Sequence, residues 1–230
     1  MAKIVGILGG MGPMSTADLM RKVTEKTPVK SEGEHLRMLV DSRPQIPDRP
    51  AGLLGTGPSP VPMLQESARL LEGWGADLIA IPCNTAHGFH SDVQAAVEIE
   101  VLDMIGIVGR EIGKGFPEGS PIGLLSTTAA QQLRIFHDRI PGFHLVTPEA
   151  SIQEDLVAGA ILQVKLEDSF DEPRQKLLQV VKSLDPSPVA VIAGCTEVEL
   201  AFQDQGAPVP VFRPMDLLAE EIVTQAWREA

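Results

Sequence analysis

IPCNTAH, residues 81–87, decides the fold together with the apolar run ADLIA at 76–80 that precedes it. The apolar run has the length and flanks of a buried strand, and the polar residues after Cys83 predict the first turn of a helix. Open α/β sheets bind ligands at the carboxyl ends of their strands, and a helix N-terminus beside a thiol favours the reactive thiolate. Cys83 is therefore placed for chemistry. The alternative is a small buried apolar residue, since free cysteines are among the most buried residue types.

The other cysteine of the chain stands in the same setting. AVIAGCTE, residues 190–197, is again an apolar strand followed by Cys195, Thr196 and a predicted helix start. The two cysteines are therefore predicted to occupy equivalent structural positions.

Length and composition indicate a globular protein. With 230 residues, of which 43% are hydrophobic, the chain can bury one large core or two smaller ones. Its apolar runs are shorter than the ~20 residues of a membrane span, and its N-terminus lacks the pattern of a secretory signal. We therefore expect a cytoplasmic protein whose two cysteines are reduced thiols.

The net charge of −12 limits the expected partners. Nucleic acids and anionic membranes bind clustered Lys and Arg, so neither is an expected partner. A small anionic substrate would need a local basic pocket.

GGMGP at 9–13 joins a predicted strand at 3–8 to a helix that starts near Ser15. Glycine permits close backbone approach, Pro13 suits a first helical turn, and the exposed amides of such a turn bind anions. A dinucleotide fingerprint fits poorly, because Ser15 stands where the third glycine is needed and Asp41 comes too late in the chain. We interpret the segment as a small-anion loop.

The chain up to residue 120 alternates strands and helices. A Pro/Gly-rich loop is predicted at 41–60, and a loop of this length inside a domain is usually functional or mobile. The other predicted elements are strands at 35–40 and 99–102, helices at 63–74, 88–97 and 104–112, and a linker at 114–120.

The N-terminal pattern restarts at residue 121. GILGG at 6–10 and GLLST at 123–127 are comparable strand-and-turn segments, and the first glycine of each precedes the cysteine of its half by 77 and by 72 residues. Each half also ends with an adjacent Met and Asp, at 103–104 and 215–216. We infer two homologous α/β halves from this internal repeat.

Two thiols that face one bound molecule can racemise an amino acid. One thiolate removes the α-proton and the opposite thiol delivers a proton to the other face. Donors fixed around the α-carboxylate would stabilise the developing charge in a water-poor site. Each candidate donor is also a plausible helix N-cap. The candidates are Asn84, Thr85, Thr127, Thr128 and Thr196.

Three motifs carry a family resemblance: ILGGMGP at 7–13, PCNTAH at 82–87 and AGCTEVEL at 193–200. In this order and at these separations they resemble the PLP-independent aspartate/glutamate racemase superfamily, and the aspartate racemases most closely. The similarity extends over essentially the whole chain. It includes QIPDR at 45–49, LLSTT at 124–128 and PMD at 214–216.

The resemblance implies an α/β fold of two pseudo-symmetric three-layer domains with mostly parallel central sheets and an active site in the cleft between them. The C-terminal segment returns to the first domain, which predicts boundaries at 1–103 plus 209–230 for the first domain and at 104–208 for the second. It further implies a mechanism without cofactor or metal, a small-molecule amino acid substrate, and commonly a homodimer.

The resemblance also assigns site residues. Cys83 and Cys195 are the acid/base pair, and Arg49 and Lys165 match positions that hold the distal carboxylate of aspartate. Met11, in the first motif, is assigned to substrate binding, and Glu197 is a candidate for the substrate ammonium or a helix cap. His87 matches a family position with an open role. The chain departs from the pattern at 129–130, where Ala-Ala replaces a usual Gly-Thr pair, so one hydroxyl of the site is missing.

The sequence therefore predicts an aspartate racemase that uses a two-base mechanism. Alternatives that use the same two cysteines are a glutamate racemase, a broad-specificity amino acid racemase and a maleate isomerase. The rival from another class is a metal or redox protein with Cys83, His87, Cys195 and Glu197 as ligands or the thiols as a switch. No CxxC motif or second histidine at ligand spacing supports that rival.

Overall fold

Two four-stranded parallel sheets form the framework of the computed structural model, which describes residues 2–167, 170–202 and 207–227. The strands found in these ranges are β1 (Val5–Gly9), β2 (Met38–Ser42), β3 (Leu78–Ala80), β4 (Glu100–Val101), β5 (Pro121–Ser126), β6 (His144–Val146), β7 (Ala190–Gly194) and β8 (Val211–Phe212).

The helices flank these strands in sequence. They are α1 (Pro13–Lys26), α2 (Arg49–Leu54), α3 (Val61–Gly73), α4 (His90–Gln94), α5 (Met104–Gly115), α6 (Thr128–Gln132), α7 (Ala150–Ile152), α8 (Gly159–Glu167), α9 (Asp171–Ser183), α10 (Thr196–Phe202) and α11 (Pro214–Ala226). Short 3₁₀ turns occupy Glu32–Glu34 and Thr85–Phe89, and a π-helical segment, Gln153–Ala158, links α7 to α8.

The chain divides into two units. The first comprises Met1–Ile107 and Met215–Ala230, and the second is Val108–Pro214. The first division falls within α5, a few residues after the boundary expected from the sequence. The second falls after β8, which pairs with β7 and so belongs to the second unit.

The sheet of the first unit has the order β2-β1-β3-β4, with every pair parallel. Alternate residues of β1 face opposite sides: Val5 and Ile7 lie in one buried cluster and Leu8 in another. The first cluster includes apolar residues of α1 and α11, and the second includes those of α3. Both faces of the sheet are therefore covered, as parallel sheets require, and the unit has three layers.

The second unit repeats this topology. Its sheet has the order β6-β5-β7-β8, again all parallel, so each strand has a counterpart at the same place in the first sheet. Leu125, Val191 and Ala193 of the central strands pack against apolar residues of α8 and α9. The predicted internal repeat and the predicted α/β class are thus confirmed.

The predicted loop at 41–60 is wrong in its middle, because α2 lies within it. The Asp48 carboxylate caps this helix by accepting a hydrogen bond from the Ala51 amide at 2.8 Å. Pro50 suits the first turn, where an amide hydrogen is not needed. Asp48 at the N-cap and Pro50 in the first turn are a helix-start signal in the sequence. The many Pro and Gly residues of the segment favoured a loop instead.

The predicted helix at 88–97 begins earlier and is less regular. A 3₁₀ turn starts at Thr85, directly after the first cysteine motif, and α4 follows it. No helix in the described ranges is long and apolar enough to cross a lipid bilayer.

The glycine-rich turn after β1 is held by close packing. Gly10 has a φ of 90°, and a Cβ added there would overlap the backbone of Arg43. Its amide donates to the Thr16 hydroxyl at 2.8 Å, and a Cβ at Gly9 would also collide with the Thr16 side chain. The Gly10 amide is therefore engaged within the turn. Anion binding by the remaining amides stays a prediction.

Gly10→Ala should lower the free energy of unfolding by about 2–5 kcal/mol, because it adds a steric overlap to an unfavourable backbone conformation. Gly75 is a matched control, since it also has a positive φ, of 94°, but an added Cβ there meets no atom within 4 Å. Gly75→Ala should cost only about 1–2 kcal/mol. Urea denaturation followed by circular dichroism measures both values, and equal losses would refute the close-packing argument.

Candidate active site

The strand register places the two cysteines at equivalent points. Gly6 of β1 pairs with Ile79 of β3, and Cys83 comes four residues after Ile79. Gly123 of β5 pairs with Val191 of β7, and Cys195 comes four residues after Val191. Both cysteines therefore follow the carboxyl end of a central strand, as the sequence predicts.

The Cys83 side chain lies at the edge of the apolar core of the first unit. It is 8% exposed and belongs to a cluster that includes Met11 and Ala86. Its amide donates to the Ile81 carbonyl at 2.8 Å, which turns the chain away from the strand. Met11, predicted as a substrate contact, is itself buried in this cluster. Its side chain thus belongs to the same apolar cluster as Cys83, and a substrate contact from it stays a prediction.

Asn84 is the most informative side chain of this half. It stands at the N-cap position of the 3₁₀ turn but makes no capping hydrogen bond. The side chain is only 3% exposed, and neither its amide nitrogen nor its amide oxygen has a partner among the described residues. A buried amide without partners is unfavourable by about 1–3 kcal/mol for each group. The geometry therefore favours a ligand-binding role over the N-cap alternative.

His87 joins the cysteine motif to the start of α5. The Met104 amide donates to His87 Nε2 at 3.1 Å, so this nitrogen carries no hydrogen. Nδ1 then bears the hydrogen and donates it to the Cys83 carbonyl at 2.9 Å. The ring is fully buried. His87 therefore orients the backbone of Cys83 and has no lone pair left for a metal ion, which removes its proposed metal-ligand role.

Polar side chains also mark the tip of β5 in the second unit. Thr127 Oγ1 accepts from the Ala130 amide at 3.3 Å, so the N-cap interpretation of Thr127 is correct. Ala129 and Ala130, which replace the usual Gly-Thr pair, are buried in the first turn of α6. Thr128 Oγ1 accepts a long hydrogen bond of 3.4 Å from Gln153.

Gln153 is a site-supporting residue that the sequence analysis missed. Its side-chain nitrogen donates to the Ser126 carbonyl at 2.9 Å, and its oxygen accepts from Gln131 at 2.6 Å. It is buried and begins the π-helical segment, a feature that often occurs at functional sites. No sequence signal separates it from an ordinary polar helix residue, because its partners are distant in the chain.

The Cys195 thiol lies in a charged setting. Its Sγ donates to Glu197 Oε2 at 2.7 Å, and the Thr196 hydroxyl donates to the same oxygen at 3.0 Å. Lys165 Nζ lies 3.8 Å from Glu197 Oε1. Burial raises the pKa of Cys195 well above its usual value, the negative charge of Glu197 and its hydrogen bond raise it further, and the charge of Lys165 acts in the opposite direction.

Arg49, predicted to grip a distal carboxylate, begins α2. Its Nη1 donates to the carbonyls of Ile46 and Pro47, both at 3.0 Å. These two bonds fix the guanidinium plane. Nε is buried and has no partner among the described residues. The Nε–H group therefore remains available as a donor to an anion.

Metal coordination finds little support in the described ranges. No group of three His, Cys, Asp or Glu side chains lies where it could hold a metal ion. The thiol of Cys195 instead donates to Glu197, the other predicted ligand of the second half.

Comparison with known proteins identifies the class. The chain belongs to the Asp/Glu/Hydantoin racemase family, whose model matches residues 8–222. It is 22% identical to the broad specificity amino-acid racemase RacX of Bacillus subtilis strain 168, over 96% of this chain and 97% of that protein. It is an amino acid racemase of this family.

Solved structures agree with the fold. The Picrophilus torridus aspartate racemase is 28% identical, with a TM-score of 0.83 over 96% of this chain and 93% of that one. Glutamate racemase RacE1 of Bacillus anthracis is 16% identical, with a TM-score of 0.63 over 96% of this chain and 80% of that one. The latter likeness concerns the fold alone.

His87→Leu should destabilise the protein by about 2–4 kcal/mol, because the Cys83 carbonyl and the Met104 amide would lose their buried partner. His144 is exposed and serves as the control, since His144→Leu should change stability by less than about 0.5 kcal/mol. Chemical denaturation of both variants measures the difference. A His87→Leu variant as stable as the parent would contradict the bridging role.

Proposed function

We propose that the protein interconverts L- and D-aspartate without a cofactor, using Cys83 and Cys195 on opposite faces of the α-carbon. The observation that carries this proposal is the equivalent placement of one cysteine after the central strand of each homologous unit. The family assignment supports racemisation, and the aspartate racemase likeness supports the substrate.

The proposed reaction moves two protons. A thiolate Sγ takes the α-proton: the C–H bond breaks, an S–H bond forms, and the electron pair spreads into the α-carboxylate. The opposite thiol then gives its proton to the other face, so its S–H bond breaks and a new C–H bond forms. The enzyme ends with one thiol and one thiolate in exchanged roles.

The weak acidity of the α-carbon is the main barrier, and donors aimed at the carboxylate lower it. Asn84 is the best candidate, because its buried amide has no partner in the described structure and would gain one from the substrate. A water-poor setting strengthens such contacts, and the burial of both thiols is consistent with one.

The choice of aspartate rests on Arg49. A chain with a net charge of −12 repels a dicarboxylate on average, so a fixed cation is needed. Arg49 is oriented by two carbonyls and keeps a buried Nε donor, which suits a side-on grip of a carboxylate.

Broad specificity is the second candidate. Lys165, the other predicted cation, is 52% exposed and lies near the carboxylate of Glu197. Its ammonium group is therefore already partly engaged by Glu197 and is less available to the distal carboxylate of aspartate. The likeness to the broad specificity racemase points in the same direction.

Cys83→Ser and Cys195→Ser should each abolish racemisation of aspartate from either enantiomer while the far-UV circular dichroism spectrum stays that of the parent. Every turnover requires one proton acceptor and one donor, and a serine hydroxyl is far too weak an acid to replace either. Racemisation is followed by circular dichroism of the amino acid, without added PLP and in the presence of a chelator. Full activity in either variant, or dependence on PLP or metal, would refute the two-thiol mechanism.

Arg49→Ala should lower kcat/KM for aspartate by roughly 30-fold or more and leave a neutral amino acid nearly unaffected. The loss corresponds to about 2–5 kcal/mol for a buried charge-assisted contact. Arg43 is the matched control: it lies in the same region but pairs with Glu66 at 2.9 Å, so Arg43→Ala should affect neither substrate.

The measurement is kcat/KM for aspartate, glutamate and alanine in the parent, in Arg49→Ala and in Arg43→Ala. Equal losses on acidic and neutral substrates would remove the carboxylate-binding role of Arg49. A parent enzyme that prefers neutral amino acids would place the broad-specificity alternative first.

A further inference from the structure

The residue two positions after the cysteine differs between the two units. Thr85 stands two residues after Cys83, and Glu197 stands two residues after Cys195. Because the strand register makes the cysteines equivalent, these two residues are equivalent as well. The homologous frame therefore has a neutral hydroxyl at this point in one unit and a carboxylate in the other.

Glu197 is bound directly to the thiol. The Cys195 thiol and the Thr196 hydroxyl both donate to Oε2, at 2.7 and 3.0 Å, which holds the carboxylate in one orientation. The Glu197 side chain is only 15% exposed, so water competes weakly for these bonds. Helix α10 begins at Thr196, and its first turn therefore carries the contact.

We propose that Glu197 is a positioning residue that controls the proton of Cys195. It holds the proton on Sγ in the free enzyme, so that Cys195 enters the cycle as the proton donor. In a turnover that starts with both cysteines protonated and uses Cys195 as acceptor and Cys83 as donor, Glu197 receives the Cys195 proton. The inference rests on the proposed two-thiol function and deepens it, because it assigns unequal resting states to two equivalent cysteines.

The transfer is balanced within the pair. The Sγ–H bond breaks, an O–H bond forms at Oε2, and the electron pair stays on sulfur. The pair has a charge of −1 before and after the step, so the charge near Lys165 does not change. The carboxylate can thus exchange the proton without a change in total charge at a buried site, where such a change is unfavourable.

Two charged groups act on the Cys195 thiol among the described residues. Glu197 on α10 raises the pKa of the thiol together with burial, and Lys165 on α8 lowers it. Removing the carboxylate must then lower the pKa, and removing the ammonium must raise it. These opposite signs separate an electrostatic role from a purely structural one.

The test measures alkylation of Cys195 by neutral iodoacetamide against pH in a Cys83→Ser background, where it is the only thiol. Glu197→Gln should lower the midpoint by at least about one pH unit, and Lys165→Gln should raise it. At pH 7 Cys195 of the Glu197→Gln variant should be alkylated roughly 3-fold faster than Cys195 of the parent. Its larger fraction of thiolate outweighs the lower nucleophilicity of a thiolate with a lower pKa. Glu197→Asp, which keeps the charge, should stay near the parent.

Glu118→Gln is the matched control, since it removes one negative charge just before β5, at the opposite end of the same sheet. Its midpoint should equal that of the parent. An unchanged or raised midpoint in Glu197→Gln would overturn the inference. If Glu197→Gln does not fold, Lys165→Gln replaces it as the test, because Lys165 is exposed. A midpoint that fails to rise in Lys165→Gln would also overturn the inference.

Racemisation with both cysteines intact gives a second readout. The alkaline limb of kcat/KM reports loss of the proton-donating thiol, so Glu197→Gln should move this limb to lower pH. A higher KM with no shift in either profile would instead identify Glu197 as a receptor for the substrate ammonium and overturn the inference. The alkylation result does not depend on turnover. A shifted midpoint in a protein that racemises nothing would thus reject the proposed function, and with it the catalytic part of the inference, while keeping the control of the Cys195 proton by Glu197.

Discussion

Main-chain pairing of parallel strands is the constraint on which the rest of the structure depends. β1 with β3 and β5 with β7 are the central pairs of their sheets, and apolar clusters bury their side chains. The carboxyl ends of these strands are where the chain turns into polar segments. Gly194, paired with Ser126, has no room for a side chain, since an added Cβ would lie 2.8 Å from the Ser126 Cβ. The residue after it, Cys195, is thereby set at the end of the sheet.

The same frame carries two different chemical settings. In the first unit, the Asn84 amide has no partner among the described residues, and both ring nitrogens of His87 bond to the backbone. In the second unit, the thiol binds a carboxylate that lies near an ammonium group. A repeated fold therefore does not impose the same neighbours on equivalent cysteines, because the repeat leaves the side chains around them free to differ.

Much of the frame was readable from the sequence. The apolar runs, the restart at residue 121 and the paired cysteine motifs predicted two homologous α/β units, and local signals were sufficient because strands and glycine turns are short-range features. Helix α2 was not predicted, although Asp48 and Pro50 are a helix-start signal. Gln153 could not have been found, because its role depends on contacts with Ser126 and Gln131, more than 20 residues away. The homodimer and the cytoplasmic location stay predictions.

The sequence by itself determined the class of fold, the two cysteines at equivalent strand ends and the set of polar residues around them. Only the tertiary structure decided what those polar residues do. Thr127 caps a helix while Asn84, in the same kind of position, does not. Lys165 and Glu197, 32 positions apart in the chain, lie within 3.8 Å of each other. The reason is physical: a strand end follows from local periodicity, whereas the partner of a buried polar group depends on which distant segments pack against it.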